Sequence, residues 1–290
     1  MGFNNRTLIA DDGTHIAYGV AGEGPALVLT NGLTTSSYFW KYLIPIWQRH
    51  HTVISWDLPG HGESGPARTP KTARVHSHPR LIAEIMDRAG VKRALQVGWS
   101  TGTQLVLETY RQFPGRCAGV ALVLGGAGNV LNTTRLPLPG PVIERIVRAS
   151  PPRLFELIAL TLSRAMRLQS GEGVGRKLGL IGPNAKPEDM REVIQHIGEV
   201  DAVTLRSMLI SLQEHSARSI LSTLRVPLLI VAGDKDPFAP SELVGVPLHA
   251  SAPKSELMRL PEGTHTALLE QPEAIGARIQ AFASRCFLPI

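Results

Sequence analysis

Short runs of Val, Ile, Leu and Ala that break off at Gly or Asp constrain this chain most. Six stand out: Ala26–Thr30, Thr52–Trp56, Ala94–Val97, Gly119–Leu124, Leu228–Val231 and Glu256–Leu260. Near-continuous apolar runs of this length are the signature of parallel strands buried on both faces. Helix-like stretches separate several of them: Ser77–Ala89, Gln104–Phe113 and Pro272–Arg285. Strand–helix alternation predicts right-handed crossovers and an α/β sheet layered by helices on both faces. Ahead of it, Thr7–Ala10 and Ile16–Val20 flank Asp11-Asp12-Gly13-Thr14, a hairpin turn that predicts an antiparallel edge.

The alternation stops between Ala127 and Leu224. Leu154, Leu157, Ile158, Leu162, Ala165 and Met166 recur at helical spacing, as do Val193, Ile194 and Ile197, and then Leu205, Met208, Leu209 and Leu212. Pro and Gly punctuate these segments at Pro137–Pro141, Pro151-Pro152 and Gly171–Gly175. An all-helical block between two strands reads as a lid on a sheet-based core. The expected organisation is a discontinuous core, 1–126 plus 224–290, with a helical insertion at 127–223.

The formal net charge of +6 in 290 residues raises the question of a polyanion partner. There is no block of five or six basic residues and no nucleic-acid-binding pattern, so no nucleic acid is expected. Much of the excess is local: residues 127–186 carry nine basic and three acidic groups, and 187–223 carry three and six. No apolar run approaches the roughly 20 residues of a bilayer span, and the start of the chain lacks the apolar stretch of a secretory signal. Cys117 and Cys286 are far apart and sit in no metal or disulfide pattern, so free thiols are expected. These features place the protein in the cytoplasm, with no stable membrane insertion. Oligomeric state is not legible.

Gly98-Trp99-Ser100-Thr101-Gly102 fits G-x-S-x-G, and its setting matters more than the match. It follows the apolar strand Ala94–Val97 and opens the helix-like Gln104–Phe113. That strand–turn–helix context is what a nucleophile elbow requires: the turn lifts the serine hydroxyl off the sheet, and the next helix presents its N-terminal N–H groups to an oxyanion. From these residues the chain resembles the α/β-hydrolase fold superfamily, specifically its serine, esterase-like hydrolases with a helical lid. The resemblance implies a mostly parallel sheet of about eight strands flanked by helices, with an inserted helical cap.

That family places its acid and then its base downstream of the serine. Four histidines follow Ser100; His196 and His215 fall in the helical insertion and His249 in an expected surface helix. His265 lies in the loop after the last strand, where the family's general base sits. Leu228–Val231 runs into Ala232-Gly233-Asp234-Lys235-Asp236-Pro237, and the family pattern marks Asp236 as the acid, with Asp234 the close alternative. By the same resemblance the backbone N–H groups of Leu33 and Thr101 form the oxyanion hole, although Asn31 stands where the family usually has His. Asp57-Leu58-Pro59-Gly60-His61-Gly62-Glu63-Ser64 resembles a family segment that is chiefly structural, and His61 carries no expected catalytic role.

The expected activity is carboxylic ester hydrolysis through an acyl-enzyme, with no metal and no organic cofactor. Serine at the elbow argues against epoxide hydrolase and haloalkane dehalogenase chemistry, which places an aspartate there. Trp99, Phe238 and Met166 are the expected substrate contacts, beside Leu33, for a small hydrophobic ester or related acyl substrate. The rival readings keep the triad but cleave a carbon–carbon bond, open a lactone or form a peracid; a ligand receptor of the same fold is a further alternative.

Overall fold

The computed structural model describes residues 4–135, 138–167, 173, 176, 181–252 and 254–288. Among these, eight strands form one sheet in the order β1-β2-β4-β3-β5-β6-β7-β8. They are β1 (Asn4–Ile9), β2 (His15–Ala21), β3 (Ala26–Thr30), β4 (Thr52–Trp56), β5 (Ala94–Trp99), β6 (Cys117–Val123), β7 (Leu228–Gly233) and β8 (Glu256–Leu260). β2 pairs antiparallel with both β1 and β4, and the pairs from β4 through β8 are parallel.

The apolar runs are strands because both faces are covered. In β3, Leu27 and Leu29 pack with Trp40, Val97 and Phe282, while Val28 between them packs with Ile54, Trp56 and Ile82. Period-two alternation thus sends successive side chains into two separate cores. The helices His78–Arg88, Gly102–Gln112 and Pro272–Cys286 lie within two residues of their expected ends. Two differences have physical reasons. β1 begins at Asn4, earlier than its apolar residues suggest, because exposed Asn5 and Arg6 are held by backbone pairing with β2. β8 is only half-buried, as befits an edge strand with one neighbour. Both cysteines are buried.

Between β6 and β7 run four described helices, Gly140–Ala149, Pro152–Arg167, Pro187–Glu199 and Ala202–Glu214. The ends of this excursion meet: Gly128 and Ser216 form an antiparallel bridge, and Ala217 N–H donates to Ala127 O at 2.7 Å. Helix Pro187–Glu199 is tied to the sheet-side chain by Asp189, which is fully buried. It accepts from Lys41 Nζ at 2.7 Å, Tyr38 OH at 2.8 Å and Tyr42 OH at 2.9 Å. These donors hold the Asp189 carboxyl below the usual carboxylate range against the opposing effect of burial.

Candidate active site

The parallel strands all end on one side, and the loops leaving them converge there, as ligand sites in open α/β sheets do. Ser100 occupies the sharp turn between β5 and helix Gly102–Gln112 with φ of 56°, left-handed backbone that costs a non-glycine residue roughly 1–2 kcal/mol. Neighbouring chain holds it there. Ser100 N–H donates to Val123 O at 2.9 Å, and Thr103 Oγ1 donates to Ser100 O at 2.6 Å. The flanking glycines explain themselves by distance: a Cβ on Gly102 would sit 2.4 Å from Thr30 O, and one on Gly98 would sit 2.4 Å from Gly102 O.

His265 Nε2 lies 2.8 Å from Ser100 Oγ. The same ring's Nδ1 lies 2.8 Å from Asp236 Oδ2 and 3.0 Å from Oδ1. Asp236 is itself fixed, because Phe238 N–H (2.8 Å) and Ala239 N–H (3.0 Å) both donate to Oδ1, and its side chain is fully buried. Asp234 faces elsewhere: it accepts from the Ser241 hydroxyl and from Arg259 Nε, which hold its carboxyl below the usual range despite burial. The other downstream histidines are engaged away from Ser100. His196 Nδ1 contacts Glu192 O, His249 Nδ1 contacts Ser255 Oγ, and His215 sits between Gln104 and Glu108.

Leu33 N–H and the Thr101 backbone flank Ser100 as expected, with one unforeseen detail. Leu33 N–H already donates to Thr101 Oγ1 at 2.9 Å. The loop before it is secured by Asn31, whose fully buried amide donates to Trp56 O and Asp57 Oδ1 and accepts from Trp40 Nε1. An amide there holds the turn through three elements at once. The Asp57–Ser64 segment is structural. Asp57 accepts from Ser37 N–H and Glu63 N–H, and Ser64 Oγ donates to Asp57 O; burial nevertheless pushes the Asp57 carboxyl upward. His61 is buried against Pro59 O, and desolvation lowers it to about 4.

Ser100 and His265 open into a cavity of about 680 Å³ whose walls are largely apolar. Trp99, Phe238 and Leu33 line it, as expected from sequence. Trp99 Nε1 donates to His265 O, and the Phe238 ring lies 4.7 Å from the imidazole. Met166 lies on helix Pro152–Arg167, and its side chain is outside the described residues. Sequence reasoning missed Phe39, stacked on Trp99 at 4.2 Å, and Leu124, whose φ is 51°. It also found the helical stripes without showing their facing: Leu205 and Leu209 line the cavity, while Met208 and Leu212, on the same helix, enter the core.

A second polar cluster lies behind the nucleophile helix. Glu108 accepts from His76 and Gln112 on one oxygen and contacts His215 Nε2 and Arg111 on the other. Burial raises its carboxyl, but the hydrogen bonds from His215, Gln112 and His76 outweigh this and hold it at about 2. His76, Glu108 and His215 could offer three metal ligands within 4.8 Å of one another, yet the Arg111 guanidinium already supplies the cation there.

A family model described as the alpha/beta hydrolase fold matches residues 25–272. The chain is 25% identical over 264 residues to a pimeloyl-[acyl-carrier protein] methyl ester esterase of Xylella fastidiosa, covering 91% of this chain and 96% of that protein. It is 26% identical over 273 residues to the dihydrolipoyllysine-residue acetyltransferase component of the acetoin cleaving system of Pseudomonas putida. That match takes in 91% of this chain and spans 65% of the relative's length. Among solved structures, a bromoperoxidase from Bacillus anthracis superposes with a TM-score of 0.78 at 16% identity, over 97% of this chain and all of that one, a likeness of fold.

Proposed function

This chain belongs to the alpha/beta hydrolase fold family, and from that premise we propose that it is a serine hydrolase that cleaves carboxylic esters. One observation carries the reading: Asp236, His265 and Ser100 stand in hydrogen-bond sequence, 2.8 Å at each step, at the wall of an apolar cavity. Asp236 fixes the proton on Nδ1, so Nε2 presents its lone pair to the Ser100 hydroxyl. His265 takes that proton as Ser100 Oγ attacks the ester carbonyl, and Asp236 stabilises the imidazolium formed.

Negative charge then gathers on the former carbonyl oxygen. Thr101 N–H, at the start of the nucleophile helix, and Leu33 N–H are the proposed donors. The Leu33 proton rests on Thr101 Oγ1; a developing oxyanion is a stronger acceptor than a neutral hydroxyl and draws it across. His265 passes its proton to the departing alkoxide. Water, deprotonated by His265, opens the acyl-enzyme and returns Ser100. The helices at 127–223 act as a cap in this reading: Ile194, Ile197, Leu205 and Leu209 close the cavity opposite Ser100 and keep competing water away from the apolar part of the substrate.

Hydrolysis of 4-nitrophenyl butyrate by wild type and Ser100→Ala tests the proposal. The expected result is turnover in wild type, background in the variant, and labelling of Ser100 by a fluorophosphonate. Equal rates in the two proteins would overturn it.

A further inference from the structure

The cavity is apolar almost throughout, and that makes its one exception informative. Apart from His265, a single described residue on its wall carries charge: Arg218, which opens the 3-10 turn Arg218–Thr223 where the chain returns from the helical excursion. Neighbouring arginines are spoken for. Arg148 pairs with Glu144 and Glu214, Arg206 donates to Val147 O and Arg148 O, and Arg111 donates to Ser216 O and pairs with Glu108. Arg218 uses its backbone N–H, on Ser216 Oγ at 3.4 Å, and its guanidinium has no carboxylate partner among the described residues. Its surroundings in the cavity do not replace one: Ser251, on the facing turn Gly245–Ser251, already donates its hydroxyl to Pro247 O at 2.8 Å.

A guanidinium bordering apolar wall loses part of its hydration there, and an anion offering two oxygens replaces that hydration best. We propose that Arg218 is a specificity-determining residue and that the preferred substrates are esters whose apolar chain ends in a carboxylate. A monoanion suits the site: the described wall supplies one cation, whereas a phosphate dianion is better matched by two or more. This inference rests on the ester-hydrolase reading above. The reacting carbonyl sits at Ser100 and the distal carboxylate at Arg218, with Leu221, Val244 and Leu248 contacting the methylenes between.

Two matched probe pairs test it in the full-length protein. On the acyl side, mono-4-nitrophenyl suberate is compared with 4-nitrophenyl octanoate, which has the same chain length without the distal carboxylate. On the alcohol side, the hexanoate ester of 6-hydroxyhexanoic acid is compared with hexyl hexanoate, followed by proton release. In wild type, kcat/KM should favour the carboxylate member of at least one pair by about fivefold, the size of an ion pair that stays partly wet. That ratio should shrink in 0.5 M salt, fall to about one in Arg218→Gln, and persist in part in Arg218→Lys. A wild-type ratio near one in both pairs, or a preference that survives in Arg218→Gln, overturns the proposal. The neutral members read the hydrolase reaction itself. Their turnover with no ratio refutes Arg218 alone, and absence of turnover for all four refutes the ester-hydrolase reading beneath it.

Discussion

Replacing Asp236 by Asn changes one atom and should cost about 10⁴-fold in kcat, or roughly 5.5 kcal/mol of transition-state stabilisation. The reason lies in the two backbone amides that hold the carboxylate. Phe238 N–H and Ala239 N–H both point at Oδ1, so an asparagine must place its oxygen there. Its NH₂ is then forced into the Oδ2 position, 2.8 Å from His265 Nδ1. A donor at that point demands a bare Nδ1, which moves the imidazole proton to Nε2, facing Ser100 Oγ. The base is then protonated on the wrong nitrogen while every heavy atom stays in place. Steady-state hydrolysis of 4-nitrophenyl butyrate measures kcat, and a melting temperature close to wild type separates the tautomer effect from unfolding. Asp234→Asn, the neighbouring carboxylate, should leave kcat within a few fold. A folded Asp236→Asn protein that keeps more than a tenth of wild-type kcat would refute the reasoning.

Three further outcomes are expected. Gly125→Ala would bring a Cβ to 2.1 Å from Ser100 O; it should displace the elbow and lower kcat at least a hundredfold, or prevent folding, and circular dichroism with the esterase assay distinguishes the two. Lys41→Met strips the cation from buried Asp189. The loss should be about 2 kcal/mol by urea unfolding, less than for a wholly buried pair because Tyr38 and Tyr42 still donate. His61 and His78 are buried and held neutral by desolvation down to about 4, whereas in the unfolded chain they protonate near 6.5. The unfolded state therefore binds more protons between pH 6.5 and 4, and stability should fall across that window as pH drops, by on the order of 3 kcal/mol per histidine. Urea midpoints at pH 7, 5.5 and 4.5 check this, and a flat profile counts against it.

How far the sequence reaches depends on whether a residue's role is set locally. The strand–turn–helix around Ser100 is legible because its glycines and apolar strand are contiguous, and the sheet is legible because β3 and β5–β7, enclosed on both faces, must be apolar throughout. Asp236 and His265 were marked by pattern and loop position; their meeting with Ser100 depends on three strands ending side by side. Phe39, Leu124 and the facing of Leu205 and Leu209 were not legible, since periodicity gives a helix's stripe without saying which edge borders a cavity. The Leu33–Thr101 hydrogen bond was hidden for a related reason. It joins a backbone group to a side chain 68 positions away, and nothing in either segment's composition records it.

The bridge between Gly128 and Ser216 gives the molecule a detachable quality. Because the excursion leaves and returns through one hydrogen-bonded gate, the sheet experiences everything between as a single closed loop. Loop-closure entropy grows only with the logarithm of length, about 0.6 kcal/mol per doubling. A short turn spliced between these two residues should thus leave a foldable core with an open site. A foreign helical block spliced at the same seam should bring its own pocket walls to an unchanged serine. The gate is the natural junction for building chimaeras whose chemistry and selectivity come from different parents.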